Sequence, residues 1–133
     1  MVSDPEMPPK IVVSGFDHLV LRCADVERTL AWYRNVLGLA GVRVDEWRRG
    51  EVPFPSARID ATTIIDFVVG DDAATGRLDH LCLVIDPTDL DALAESGAVN
   101  VVDGPGPRFG ARGQGTSLYV TDPDGLTVEL RYY

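Results

Sequence analysis

The stretch Asp17-His18-Leu19-Val20-Leu21 returns 62 residues later as Asp79-His80-Leu81-Cys82-Leu83. Both read Asp-His-Leu-x-Leu, and together they hold the only two histidines of the chain. A second pair keeps nearly the same offset. Asp66, in Thr63-Ile64-Ile65-Asp66-Phe67-Val68-Val69, stands 63 residues before Glu129, in Leu126-Thr127-Val128-Glu129-Leu130-Arg131-Tyr132. Each half of the chain therefore opens with a strand carrying one histidine and closes with a strand carrying one carboxylate. Alternation along the first strand puts Phe16, His18, Val20 and Arg22 on one face and Leu19, Leu21 and Cys23 on the other.

Working outward, the same order of elements appears twice. Residues 1–15 begin rich in proline and polar residues, then carry Ile11-Val12-Val13, and read as a flexible N-terminal arm with room for a short edge segment. Phe16–Cys23 is a strand. Asp25 caps a helix whose apolar residues Val26, Leu30, Tyr33 and Leu37 recur at helical spacing, with Gly38 as its end. Leu39–Trp47 holds a strand centred on Val42 and Val44, Ala57–Ile59 a third, and Thr62–Val69 a β-branched fourth. Gly70–Gly76 links the halves. Leu78–Ile85 repeats the first strand, Pro87–Ser96 is a helix, and Asn100–Asp103 is a short strand. Gly104–Gly115, with five glycines and two prolines, reads as a long loop, a mobile flap beside a cleft. Thr116–Thr121 is a strand, Asp122-Pro123-Asp124-Gly125 a β-turn and Leu126–Tyr133 the last strand. Each half is thus a βαβββ unit. The fold expected is α+β: paired βαβββ modules, about 16–70 and 78–133, forming one domain over 16–133 with a curved mixed sheet around a cleft.

The totals restrict the reading. A chain of 133 residues with 45% hydrophobic and 25% charged residues fits one compact globular domain. Its formal charge of −9 repels phosphate backbones, so nucleic acid is a poor partner. No apolar run is long enough to span a bilayer. Met1–Lys10 carries three prolines and two acids rather than an apolar core, so it does not read as a signal peptide, and the cytoplasm is the expected location. Cys23 and Cys82 fall on opposite faces, which argues against a disulfide, and the lack of Cys-x-x-Cys pairs excludes a thiolate zinc site.

His18, His80, Glu129 and Asp66 all turn inward in this arrangement, with Cys82 and Arg131 beside them. Imidazole suits Zn, Ni, Co and Fe(II), and carboxylate extends the choice to Mn. Two histidines and one glutamate would leave open positions on such an ion for a substrate. Asp66 is one methylene shorter than Glu129. It could ligate the ion, reach it through water, act as a base, or pair with Arg131 or Arg58. Arg108, Phe109 and Arg112 in the glycine-rich stretch, with Arg58, are candidates for contact with an anionic substrate, and Trp32 and Trp47 for stacking on a ligand.

These segments resemble a known family. Phe16-Asp17-His18-Leu19-Val20-Leu21, Thr29–Gly38, Asp79-His80-Leu81 and, most specifically, Asp122-Pro123-Asp124-Gly125-Leu126-Thr127-Val128-Glu129-Leu130 are similar to the vicinal oxygen chelate superfamily. It includes glyoxalase I, bleomycin-resistance proteins, extradiol dioxygenases, fosfomycin-resistance enzymes and methylmalonyl-CoA epimerase. The resemblance implies a divalent metal at His18, His80 and Glu129, and commonly a homodimer. In glyoxalase I a second glutamate is the fourth ligand, where this chain has Asp66. Three functions follow as expectations. The first is a metal-dependent lyase or isomerase of glyoxalase type, in which the metal chelates vicinal oxygens and stabilises an enediolate while Glu129 or Asp66 moves the proton. The second is a non-catalytic binder of a small molecule, of the bleomycin-resistance kind. The third is an Fe(II) extradiol dioxygenase, although this chain lacks the further histidine such enzymes use as acid–base.

Overall fold

The computed structural model describes residues 7–70, 76–121 and 125–133. Its elements run β1 (Val13–Cys23), α1 (Val26–Asn35), β2 (Ala40–Val42), α2 (Val44–Arg48), β3 (Ser56–Asp60), β4 (Thr63–Val69), β5 (Leu78–Ile85), α3 (Leu90–Glu95), β6 (Asn100–Gly110), β7 (Gly113–Thr121) and β8 (Thr127–Tyr132). Among the described residues they form one curved eight-stranded sheet in the order β2-β3-β4-β1-β5-β8-β7-β6. The modules meet along the antiparallel pair β1–β5, and each continues outward through a parallel pair, β1–β4 in one half and β5–β8 in the other. This is the mixed sheet of paired βαβββ modules that the repeat implies.

Each module closes its own core. Leu21, Ile65 and Phe67 meet Val26 and Leu30 of α1 in the first, and Leu83 and Leu130 meet Leu90 and Leu93 of α3 in the second. Two buried leucines facing a β-branched and aromatic sheet are each worth about 1.5–3 kcal/mol of burial. Asp25 and Asp89 start the helices by accepting the backbone N–H of Arg28 and Ala92. With the helices on one face, the face carrying the two histidines stays open.

Three expectations are corrected. β2 stops at Val42 rather than running to Trp47. Arg43 turns into the left-handed region (φ 55°), and Val44–Arg48 becomes a helical turn that drops Val44 into the first core. The stretch Gly104–Gly115 is not a loop, because β6 runs through Gly110 and β7 begins at Gly113. Two of its glycines give clearance. A Cβ at Gly110 would sit 2.5 Å from Arg131 Cζ, and one at Gly115 would sit 2.6 Å from Arg131 Nη2 and 2.9 Å from the Tyr132 carbonyl oxygen. Finally, β1 starts at Val13, and Asp86 N–H donates to the Val12 carbonyl at 2.8 Å, so the end of the expected arm belongs to the sheet. The Gly70–Gly76 linker and the Asp122–Gly125 turn fall largely outside the described residues.

Candidate metal centre

One pairing rule, used twice, assembles the centre. Asp66 on β4 lies opposite Val20, two residues past His18, and Glu129 on β8 lies opposite Cys82, two past His80. Since β1 and β5 are neighbours, the imidazoles meet edge to face with centroids 5.7 Å apart. Glu129 Oε1 is 3.2 Å from His18 Nε2 and 3.2 Å from His80 Nε2. The other carboxylate oxygen accepts from Ser117 Oγ at 2.7 Å and from Arg131 Nη1 at 3.0 Å.

The aspartates of the repeated pentapeptide orient the rings. His18 Nδ1 lies 2.7 Å from Asp17 Oδ2, and His80 Nδ1 lies 2.7 Å from Asp79 Oδ2. A carboxylate on Nδ1 fixes the proton there and aims the Nε2 lone pair at the centre, as the outer partner of a metal-bound histidine does. Asp17 reaches its neighbour's ring through an irregularity in the β1–β5 register between Phe16 and His18. It is fully buried and also accepts from Ala111 N–H at 3.0 Å and Tyr133 O–H at 2.5 Å. Asp79 is more open and pairs with Arg22 at 2.9 Å.

The charges fit a cation. Asp17 and Asp66, both buried, have no arginine or lysine ion pair among the described residues; His18 lies between them, 3.7 Å from Asp66 through Nε2. Burial would lower the His18 pKa, but hydrogen bonds with Asp17, Cys82 and Glu129 outweigh it and raise it to about 12. Burial would raise the Glu129 carboxyl, yet hydrogen bonds from His18 and His80 hold it well below the usual carboxylate range. A buried anionic pocket that demands a proton on an imidazole is one where a dication can replace that proton. His18, His80 and Glu129 present their ligand atoms within 4.8 Å of one another. Asp17, His18 and Cys82 do so as well, but there Asp17 already accepts from Ala111 N–H and Tyr133 O–H and bonds to His18 Nδ1, the ring nitrogen turned away from the centre.

A cavity of about 340 Å³ opens beside the centre, lined by His18, His80, Asp66, Arg43, Phe54, Phe109 and Tyr119, among others. Asp66 Oδ1 accepts from Ser56 Oγ at 2.5 Å. Of the other residues expected at the cleft, Arg108 and Phe109 line the cavity, and Cys82, Arg131, Arg58 and Arg112 do not. Arg108 is paired with Asp103 at 2.9 Å. Arg131 is fully buried, holding Glu129 and the carbonyls of Arg108, Phe109 and Gly113. Arg58 clips the Ala111 carbonyl at 3.0 Å, and Arg112 stacks on Tyr133. Trp32 is half exposed over a separate hollow with Arg28, Tyr33 and Arg77, and Trp47 packs on the first core.

Sequence reasoning passed over Asp17 and Asp79, although both stood in the repeat, because strand alternation places them on the face opposite the histidines. It also missed Ser56 and Ser117, which bond to the two carboxylates. Their separation of 61 residues nearly matches the other offsets and could have revealed them.

Comparison with known proteins identifies the family and the fold. The sequence model of the Glyoxalase/Bleomycin resistance protein/Dioxygenase superfamily matches residues 15–130. The chain belongs to this superfamily. Virulence protein STM3117 of Salmonella typhimurium is 28% identical over 127 residues, covering 93% of this chain and 88% of that one. The glyoxalase domain-containing protein RDO1 of Mycosarcoma maydis is 34% identical over 128 residues, covering 93% of this chain and 71% of RDO1. Methylmalonyl-CoA epimerase from Mycobacterium tuberculosis shares the fold with a TM-score of 0.61 at 20% identity, covering 98% of this chain and 95% of the epimerase. The superfamily hosts several chemistries on one scaffold, so membership fixes the sheet and leaves the reaction to the site. Among the described residues no helix of this superfamily member is long and apolar enough to cross a membrane.

Proposed function

We propose that the protein is a metal-dependent enzyme of the glyoxalase kind, a lyase or isomerase acting on a small substrate with two neighbouring oxygens. One observation carries the reading: two Nε2 atoms and one glutamate oxygen converge at 3.2 Å, each imidazole backed by its own aspartate. His18, His80 and Glu129 would hold the ion, and a set of two nitrogens and one oxygen suits Zn, Ni, Co, Fe(II) or Mn. When bound, the metal supplies Lewis-acid polarisation of the vicinal oxygens.

Asp66 is the group that moves the proton. It lines the cavity, its Oδ1 is fixed by Ser56, and burial pushes its carboxyl above the usual aspartate value, against the pull of His18, Ser56 and Arg43, which makes it a stronger base. It takes a proton from the substrate carbon and returns it to the neighbouring one. Glu129 has both oxygens engaged, which suits holding rather than shuttling. Phe54, Phe109 and Tyr119 keep water from the reacting atoms. The reading includes a cytoplasmic location and a homodimer, the latter supported by the exposed apolar Val12, Val13 and Phe16 at and just before the start of β1. Elemental analysis of protein purified without chelator tests the core of this. We expect stoichiometric divalent metal in the wild type and none in His80→Ala, followed by turnover of a hemithioacetal and not of a catechol. Absence of metal even after incubation with Zn, Ni, Fe or Mn would sink the proposal, and catechol cleavage would move it to the dioxygenase reading.

A further inference from the structure

Arg43 is the cation that neither the repeat nor the metal donors account for. It sits at φ 55°, alone among the described non-glycine residues in having a positive φ, at the junction of β2 and α2. Such backbone is unfavourable for a long side chain and tends to persist where a site requires it. The guanidinium lies between two rings, 3.8 Å from the Phe109 centroid and 4.9 Å from that of Phe54, and all three residues line the cavity that His18, His80 and Asp66 also line.

Its Nε and Nη2 are buried and have no hydrogen-bond partner among the described residues. Asp66 and Glu46 act on it through space, yet neither forms an ion pair with it. A buried guanidinium edge without an acceptor is costly to maintain. Elsewhere in this chain the same edge shows what it is made for. Arg48 grips both oxygens of Glu27 through Nε at 3.0 Å and Nη2 at 2.9 Å, and Arg49 holds Glu51 through the same two atoms. The planar fork of arginine matches a carboxylate in two bonds. Phe54 and Phe109 lie against the guanidinium and line the same cavity, so a ligand that binds this edge has no protein hydrogen bond to break.

We infer that Arg43 anchors a carboxylate of the substrate on the side of the cavity lined by Phe54 and Phe109, which makes the substrate class a small acid with vicinal oxygens at one end and a second carboxylate at the other. The vicinal-oxygen end rests on the function proposed above; the carboxylate end rests on Arg43 alone.

Calorimetry on the full chain separates the two. The probes are 2-oxoglutarate and 2-oxoadipate against 2-oxopentanoate and 2-oxohexanoate, in which a methyl group replaces the distal carboxylate. Each is titrated into Mn(II)-loaded and metal-stripped protein. We expect at least one diacid to bind roughly ten- to a hundred-fold tighter than its monoacid partner. R43Q should erase that ratio while leaving monoacid affinity in place, and R43K should restore only part of it. A ratio near one, no diacid binding at all, or a ratio that survives R43Q overturns the assignment. Should R43Q not fold, the wild-type ratio decides alone. If the diacid preference holds but Mn(II) changes the affinity of none of the four probes, the metal reading fails and the Arg43 anchor stands.

Discussion

Asp17→Ala and Asp79→Ala remove the same residue from the same pentapeptide, yet the structure sets very different consequences for them. Asp17 is fully buried, and its loss strands three donors: the His18 ring, the Ala111 backbone N–H and the Tyr133 hydroxyl. Each buried donor left without its acceptor costs about 1–3 kcal/mol. These costs do not add fully, and breaking a buried charged pair typically totals about 3–5 kcal/mol. Against a net stability of about 5–15 kcal/mol, the metal-free D17A protein should melt roughly 10–20 °C lower. Asp79 has a side chain 36% exposed and a solvent-facing pair with Arg22, an interaction worth at most about 1 kcal/mol. D79A should therefore melt within a few degrees of the wild type. Both should weaken metal binding by about 10–100-fold, because each frees one imidazole to turn. Differential scanning fluorimetry with chelator present, and competition titration against a metal-sensitive dye, measure the two quantities separately. Equal melting temperatures for the two variants would refute the burial argument. Wild-type metal affinity in D79A would refute the orienting role.

Other perturbations discriminate further. Asp66→Asn should keep most metal affinity and lower kcat by about 10²–10⁴-fold, the usual worth of a positioned base; loss of metal instead would make Asp66 a ligand. Gly115→Ala forces a methyl against Arg131 and the Tyr132 carbonyl, and should cost about 1–3 kcal/mol in chemical denaturation, whereas an unchanged midpoint would show that the hairpin has room. In metal-free protein, Asp17 and Glu129 titrate below their ordinary values of 3.8 and 4.5, so their stabilisation is complete above those values and lost as the pH falls through the folded ones. The melting temperature should drop on acidification below about pH 4.5, and E129Q should flatten that drop; an identical acid limb in E129Q counts against it. Asp66, raised by burial, acts in the opposite sense as the pH rises.

Strands such as Thr63–Val69 were legible because runs of β-branched residues leave little choice, and the histidines because duplication marked them. What was illegible has a physical cause in each case. The glycines and prolines of residues 104–115 erase the side-chain pattern by which a strand is recognised, and the need for two of them, Gly110 and Gly115, lies in Arg131, far along the chain. Val42 and Val44 alternate as in a strand, but the twist at Arg43 between them depends on the core that receives Val44. Asp17 was visible and its role was not, since only an irregular register lets a strand residue bond to its neighbour's ring. Arg43 looks like any surface arginine until the fold lays Phe54 and Phe109 against it.

The duplicated scaffold is least symmetric at one methylene. In a protein made of two identical halves, both closing strands would offer the same acid to the same pair of imidazoles. Here the longer acid reaches both rings at 3.2 Å, while the shorter stays 3.7 Å from the nearer one. That gap is small enough for Asp66 to feel the charge of the centre and large enough to leave it outside the grip that holds Glu129. On the function proposed above, the difference between holding and moving a proton then comes down to the single methylene by which Asp66 is shorter than Glu129.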